Sequence, residues 1–291
     1  MSVIHCICCQ QPQARYFFAR SGSAGRYSIY RCDFCKSAFV WPRPNPGKID
    51  ALYTSRNNYC VTHENNRAIG HGSQYYPTGR QDANLVLRQC KNMTPGKNLL
   101  DVGAGVGDFS FAATNNGFNV RACEPNGMSR KAFLERNGFE PDSNMFTPDY
   151  AARFKSDFHV VIASHVLEHI LRPDQFVRNI HRVLDKGGIA AVLVPHFGSA
   201  LSRLQGKKDM FISPPEHLNF FSKAGLEHLF HRHGLSLEWL ETTSKVNRHR
   251  LEQLVRVPVF STLVWTWLFL ALTCAHPFKM GMVINAYFRK I

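Results

Sequence analysis

The stretch Asp101-Val102-Gly103-Ala104-Gly105-Val106-Gly107-Asp108 sets three glycines two residues apart between two carboxylates. It follows the apolar pair Leu99-Leu100 and precedes a helical pattern. It therefore reads as a buried strand entering a tight turn whose backbone can lie against a ligand. A dinucleotide fingerprint has its last glycine at the sixth position, where a helix opens onto a pyrophosphate. Asp108 stands there instead, and its charge would repel phosphates. The turn suits a ligand without phosphates. Glu124 closes the next short apolar stretch, after Asn119-Val120-Arg121-Ala122-Cys123. A carboxylate about 20 residues beyond such a turn is placed to accept two ribose hydroxyls.

Two further sets of side chains have chemical potential. Cys6-x-x-Cys9 and Cys32-x-x-Cys35 are separated by 22 residues. At that spacing two knuckles can fold back and present four thiolates to one tetrahedral Zn²⁺. Cys8 is an alternative first ligand, and Gln10 and Lys36 stand where knuckles often carry glycine. Four thiolates leave no open position for water, so such a metal is structural. It would also explain how a front segment with little apolar periodicity holds a shape. His165, His169 and His217 are candidates for a general base, because imidazole titrates near neutrality.

These residues need a scaffold. Asn98–Val102, Asn119–Glu124, His159–Ala163, Ile189–Val194, Leu235–Thr242 and Met282–Arg289 read as strands. Helical patterns lie between them at Phe109–Asn116, Ser129–Asn137, Pro173–Leu184 and Lys223–His233. The alternation predicts an α/β fold with a doubly wound sheet and helices on both faces. Ligands then sit at the carboxyl ends of the strands, where Gly103, Glu124 and Ser164 fall. Ahead of the first strand, Pro42-Arg43-Pro44 leads into a short amphipathic helix around Ile49–Tyr53. Residues 57–79 read as a polar loop, and a helix follows from Arg80 to Cys90.

Asp101-x-Gly103-x-Gly105-x-Gly107 resembles motif I of the class I S-adenosylmethionine-dependent methyltransferases. Ser164-His165-Val166-Leu167-Glu168-His169 is similar to the motif after the fourth strand of that family. Val183-Leu184-Asp185-Lys186-Gly187-Gly188 is similar to its turn before strand five. The cysteine pairs with Pro42-Arg43-Pro44 and Leu52-Tyr53, and later Pro214-Pro215-Glu216-His217-Leu218-Asn219-Phe220-Phe221-Ser222, resemble a subset with an N-terminal zinc ribbon. Many members of that subset are linked to sugar or surface-glycan modification. The resemblance spans residues 6 to 244 in the family's order.

It implies a seven-stranded Rossmann-like methyltransferase sheet with a C-terminal apolar helical insertion before the last strand. The expected division is a zinc-ribbon module at 1–45, a linker with cofactor-covering helices at 46–96, and a methyltransferase domain at 97–291. S-adenosylmethionine would be held by Asp101, Gly103, Ala104, Gly105, Gly107, Glu124, Ser164 and His165, and structural Zn²⁺ by Cys6, Cys9, Cys32 and Cys35. The acceptor would be a hydroxyl, amine or carbon of a small molecule, sugar or glycolipid. His217 is the first choice of base, since its loop lies beyond strand five where acceptors enter; His169 is the second.

Composition bounds the partners. The 291 residues allow one large domain with an appendage, and 44% apolar residues are enough for a full core. Thirty-five basic residues against 21 acidic give a net charge of +14, which implies an acidic partner, nucleic acid or an anionic membrane. Nine cysteines, an odd number, without a secretory leader point to a reducing cytoplasm. Val257–Ala275 holds 19 residues without a charge, long enough to span a bilayer. A single span would carry the strand Met282–Arg289 away from its sheet, which favours an interfacial, re-entrant or packed helix within 250–278. Seven Lys/Arg against one Glu between Lys245 and Ile291, with Trp265 and Trp267, suit peripheral contact with anionic lipid on the inner face of the membrane. Two rival readings follow. One is methylation of a polyprenyl quinone or another lipid; the other is a non-catalytic nucleic-acid or membrane-binding module on a vestigial fold. Nucleic acid is the weaker expectation of partner; the positive charge alone does not choose between these readings, because much of the excess borders the apolar tail.

Overall fold

Runs of Val, Ile, Leu and Ala that are apolar on both faces build the central sheet. The computed structural model describes residues 3–22, 25–54, 79–244 and 278–291. The chain opens with a hairpin of β1 (Ala14–Gly22) and β2 (Gly25–Cys32), then a short β3 (Ala38–Val40) and helix α1 (Pro46–Thr54). Helix α2 (Gly79–Met93) leads to β4 (Asn98–Val102), α3 (Asp108–Asn115), β5 (Asn119–Cys123), α4 (Gly127–Asn137), α5 (Pro148–Ala152) and β6 (Phe158–Ser164). There follow α6 (Pro173–Val183), β7 (Leu184–Pro195), α7 (Ala200–Gln205), β8 (Asn219–Phe220), α8 (Lys223–His231), β9 (Leu235–Thr243) and β10 (Val283–Lys290).

Among the described residues the main sheet has six strands in the order β5-β4-β6-β7-β10-β9. The first four are parallel, and β10 lies antiparallel between β7 and β9. The last strand thus inserts beside β7, as the methyltransferase resemblance implies. In place of a full seventh strand a parallel bridge joins Cys123 to Asp142 outside β5. Pro141 precedes that bridge and polar Ser143-Asn144 follow it, so the ladder cannot lengthen. Side chains alternate between two cores. Leu99, Val160, Ile162, Ile189, Ala191 and Tyr287 pack with Ala83, Val86, Leu87 and Cys90 of α2. Leu100, Val161, Ala163, Ala190, Val192 and Phe288 pack with α6 and α8. Burying both faces explains the unbroken apolar runs.

β4 is flanked by β5 on one side and β6 on the other, so the connections leave it in opposite directions and open a crevice at its carboxyl end. The expected turn at Val183–Gly188 takes a different form. β7 pairs with Phe158 already at Leu184, then shifts register before Ile189 pairs with Val160. Gly187, at φ 75°, lets the chain make that detour.

The front of the chain holds more regular structure than its sequence suggests. β1, β2 and β3 form a second sheet that is completed by β8, a strand 180 residues downstream of β3. No helix among the described residues is long and apolar enough to cross a membrane. The apolar stretch 257–275 lies outside the described residues, as do positions 57–78 of the expected loop.

Candidate active site

The glycine turn is built by backbone hydrogen bonds and needs its glycines. Gly103, Gly105 and Gly107 have φ of 65°, 54° and 81°, the left-handed region that a Cβ disfavours. A Cβ on Gly103 would come within 2.7 Å of Val166 Cγ2, and one on Gly107 within 2.1 Å of Asn137 Nδ2. The N–H groups of Gly103 and Ala104 both donate to the Cys123 carbonyl, at 2.9 and 3.1 Å, and Gly107 N–H donates to the Ala104 carbonyl at 2.9 Å. Asp108, where a dinucleotide site has glycine, opens α3 and is paired with Arg136.

Two carboxylates flank the turn. Glu124 is buried, its Oε2 accepting from Gly105 N–H at 2.9 Å and its Oε1 from Asn126 N–H at 2.8 Å. Burial pushes its acid up, opposed by those two bonds. An ionised carboxylate offers about four acceptor positions, so two N–H donors leave capacity for hydroxyls. Asp101 is also buried, and burial pushes its acid up to about 7 although Ser110 Oγ donates to it at 2.7 Å.

The end of β6 brings the candidate histidines together. His165, at φ 55°, donates its N–H to the Leu193 carbonyl at 2.8 Å and sets its Nδ1 3.1 Å from Glu168 Oε1. Residues Leu167–His169 form one 3₁₀ turn, and Glu168 on it is 1% exposed. Burial alone would raise the Glu168 acid, but the bond from His165 and the neighbouring imidazoles hold it below the usual carboxylate range. His217 arrives from the loop before β8, and its ring meets that of His169 edge to face at 4.9 Å. His169 Nδ1 lies 2.7 Å from the Glu216 carbonyl and His217 Nδ1 2.7 Å from the Phe211 carbonyl. A carbonyl only accepts, so both rings carry a proton on Nδ1 and present Nε2 as the acceptor of the neutral form. Burial and nearby His169 push His217 down to about 4, so its ring is neutral at pH 7.

Arg43 fastens these two loops together. Its guanidinium donates to the carbonyls of Ile170 at 3.0 Å, Leu171 at 2.7 Å and Leu218 at 3.2 Å, and to Asn219 Oδ1 at 2.8 Å. Asn219 Nδ2 in turn donates to the carbonyls of Leu167 and Ile170, at 2.9 and 2.7 Å.

Residues 78–239 match the protein family described as a methyltransferase domain, more than half of the chain. The chain belongs to that family, the S-adenosylmethionine-dependent methyltransferases. A ubiquinone biosynthesis O-methyltransferase of Erwinia tasmaniensis is 30% identical over 170 residues, covering 56% of this chain and 67% of its own. A protein of the same description from Ruegeria pomeroyi is 28% identical over 150 residues, covering 45% of this chain. The match spans only 60% of the Ruegeria protein's length. Among solved structures, the 1,6-didemethyltoxoflavin-N1-methyltransferase of Burkholderia thailandensis, with S-adenosylhomocysteine bound, superposes with a TM-score of 0.54. It is 12% identical and covers 96% of this chain and 99% of its own. A S-adenosylmethionine-dependent methyltransferase from Archaeoglobus fulgidus gives 0.52 at 16% identity, over 75% and 97%. These likenesses show the class I Rossmann-like fold.

The methyltransferase also gathers its four front cysteines. The sulfurs of Cys6, Cys9, Cys32 and Cys35 all lie within 4.8 Å of one another, with Cys6–Cys35 at 3.5 Å and Cys9–Cys32 at 3.7 Å. Cys8 is buried beside this set, its backbone N–H directed at Cys6 Sγ at 3.4 Å. Gln10 and Lys36 adopt φ of 62° and 65°, the left-handed geometry a knuckle glycine would have, and their N–H groups donate to Cys6 and Cys32 carbonyls. The two knuckles are thus equivalent without glycine. Two residues of the site escaped the sequence reading. Glu168 was one letter within a motif, although its i−3 and i+1 histidines were a visible signal; Arg43 carried none beyond its two flanking prolines.

Proposed function

We propose that this methyltransferase transfers a methyl group from S-adenosylmethionine to a hydroxyl, amine or carbon of a small-molecule, sugar or glycolipid acceptor. The observation that carries the reading is Glu124, a buried carboxylate held open-handed by Gly105 and Asn126 N–H groups beside a glycine turn. Asp101, Gly103, Ala104, Gly105, Gly107, Glu124, Ser164 and His165 would hold the cofactor, Glu124 by its ribose hydroxyls. When bound, the cofactor supplies an electrophilic methyl on a sulfonium sulfur, whose bonding pair returns to sulfur as S-adenosylhomocysteine is formed. The chain's own tasks are alignment and removal of the acceptor's proton. His217, and second His169, are the groups proposed to take it at Nε2.

The front cysteines are proposed to hold one structural Zn²⁺. Tetrahedral thiolates at about 2.3 Å from zinc sit roughly 3.8 Å apart, close to the separations of 3.5 and 3.7 Å found here. A zinc-bearing front end supports the sugar or surface-glycan acceptor. A second reading, methylation of a polyprenyl quinone at the inner membrane face, is favoured by relatives described as ubiquinone biosynthesis O-methyltransferases. Calorimetric titration of the zinc-replete protein with S-adenosylmethionine and S-adenosylhomocysteine tests the first step. Micromolar binding is expected, followed by labelled-methyl transfer in a screen of sugar, glycolipid and quinol acceptors. A folded sample that binds neither compound overturns the reading.

A further inference from the structure

The buried carboxylate of Glu168 has no use in the scheme above. Its Oε1 is engaged by His165, while Oε2 is shielded from solvent and has no hydrogen-bond partner among the described residues. A carboxylate oxygen buried without a partner is costly and calls for a cation. The side chains that bear on its charge are three imidazoles, those of His165, His169 and His217. One donor atom from each of Glu168, His169 and His217 lies within 4.8 Å of the others.

We infer that Glu168, His169 and His217 form a second metal site, for a divalent transition-metal ion such as Mn²⁺, Fe²⁺ or Zn²⁺, distinct from the cysteine cluster. Two imidazoles and one carboxylate are the nitrogen and oxygen donors that suit such ions. Three ligands leave positions open to water or an acceptor oxygen, unlike the closed set of four thiolates. The outer contacts are those of a built site. Each ligating ring donates Nδ1–H to a backbone carbonyl, Glu216 for His169 and Phe211 for His217, which directs Nε2 toward the ion. Glu168 is oriented by His165, and the Leu218 N–H donates to the Glu168 carbonyl at 2.8 Å, tying the two loops. Ligation at about 2.1 Å needs donors roughly 3.0–3.5 Å apart, a separation inside the 4.8 Å that encloses the three donor atoms.

The position gives the ion a task. Val166, two residues before Glu168, packs against Gly103 of the glycine turn. An ion there stands beside the cofactor crevice and would acidify a hydroxyl bound to it. With the ion seated, His169 and His217 would act as ligands and the bound hydroxyl, acidified by the ion, would pass its proton to solvent water; without it, the rings take that proton themselves. The inference goes beyond the methyl-transfer reading and is tested apart from it.

The experiment uses the full chain with its cysteines loaded with Zn²⁺ and loosely held ions removed by dialysis against EDTA. Mn²⁺, a poor competitor for thiolates, is titrated in, and the loss of its free-ion electron paramagnetic resonance signal is followed. One Mn²⁺ per chain is expected to bind. Glu168→Gln and His217→Asn should each weaken it at least tenfold while the zinc content stays constant. His169→Asn serves if either variant fails to fold. Absence of any Mn²⁺, Co²⁺ or further Zn²⁺ binding by the wild-type chain overturns the site, as does undiminished binding in the folded variants. Calorimetry with S-adenosylmethionine on the same sample keeps the two readings apart: binding of the ion without the cofactor sinks the methyl-transfer reading alone, and the converse sinks the ion site alone.

Discussion

Glu124 does two jobs with one carboxylate, and they separate on mutation. Toward the protein it satisfies the N–H groups of Gly105 and Asn126; toward the cofactor it is proposed to take ribose hydroxyls. Hydrogen bonds to a charged group contribute about 1.5–3 kcal/mol each. Glu124→Ala should therefore weaken S-adenosylmethionine binding by about 10- to 100-fold in calorimetry, with the far-ultraviolet spectrum unchanged. Equal affinity in the variant would remove Glu124 from the site. Asp101 makes a different prediction. Burial lifts its acid from 3.8 to about 7 in the fold, with Ser110 opposing and the Glu124 and Asp108 charges adding to the rise. A raised acid favours the folded state below pH 4, where both states are protonated, and this contribution is lost as pH climbs from 4 through 7. Asp101→Asn should remove that slope, so the variant gains on wild type between pH 5 and pH 8 in urea unfolding. A constant difference between the two proteins would show that Asp101 titrates normally.

At the scale of elements, legibility followed the number of buried faces. β4, β6 and the apolar part of β7 are covered on both sides, and their residue types show it. β1 and β2 are covered on one side, with Arg15, Arg20, Arg26 and Arg31 among their residues, so the hairpin left no clean alternation. β8 has only two residues, too short for any pattern, and its partner β3 is set by distant packing. The glycine turn was legible because only glycine fits its backbone. The Arg43 clamp was not, because its acceptors are carbonyls, which every residue carries. That clamp is testable. Arg43 is half-buried; desolvation lowers its pKa to about 10, and it remains charged at neutral pH. Arg43→Met removes the donor to the Leu171 carbonyl and Asn219 Oδ1, while the Ile170 and Leu218 carbonyls keep bonds from Asn219 Nδ2 and Val40 N–H, and should cost about 2–4 kcal/mol. Its acceptors lie on the histidine loops and not on the glycine turn, so Arg43→Lys, a milder change, should depress methyl transfer more than tenfold while S-adenosylmethionine affinity moves less than twofold. Equal loss of both would mean the clamp supports the whole crevice.

Over the whole molecule, the question is whether the cysteine module stands alone or is part of the methyltransferase core. Its sheet is closed by β8, which follows β7 in the chain. Ser222, the N-cap of α8, sends its hydroxyl to the Cys35 carbonyl, and its N–H donates to Ser37 Oγ at 3.0 Å. A Cβ on Gly225 in the first turn of α8 would fall 1.9 Å from Ser37 Oγ, so the two parts meet without a gap. Arg232, just past α8, donates to the Cys8 carbonyl, and Cys6, Cys8, Cys32 and Cys35 join the apolar core under α6 and α8. A module held this way has no boundary along which to unfold separately. Zinc bound by its thiolates would then stabilise the entire fold, since the ion binds the folded state and not the unfolded chain. Zinc-loaded protein should melt in one transition by calorimetry, and stripping the cysteines with a mercurial reagent should lower that single midpoint by about 5–15 °C. Cys32→Ser should do the same, with the zinc content falling in step. An early transition confined to the cysteine module, leaving S-adenosylmethionine binding and the main midpoint in place, would instead make it an appended unit, and the bonds of Ser222 and Arg232 would count as contacts between neighbours.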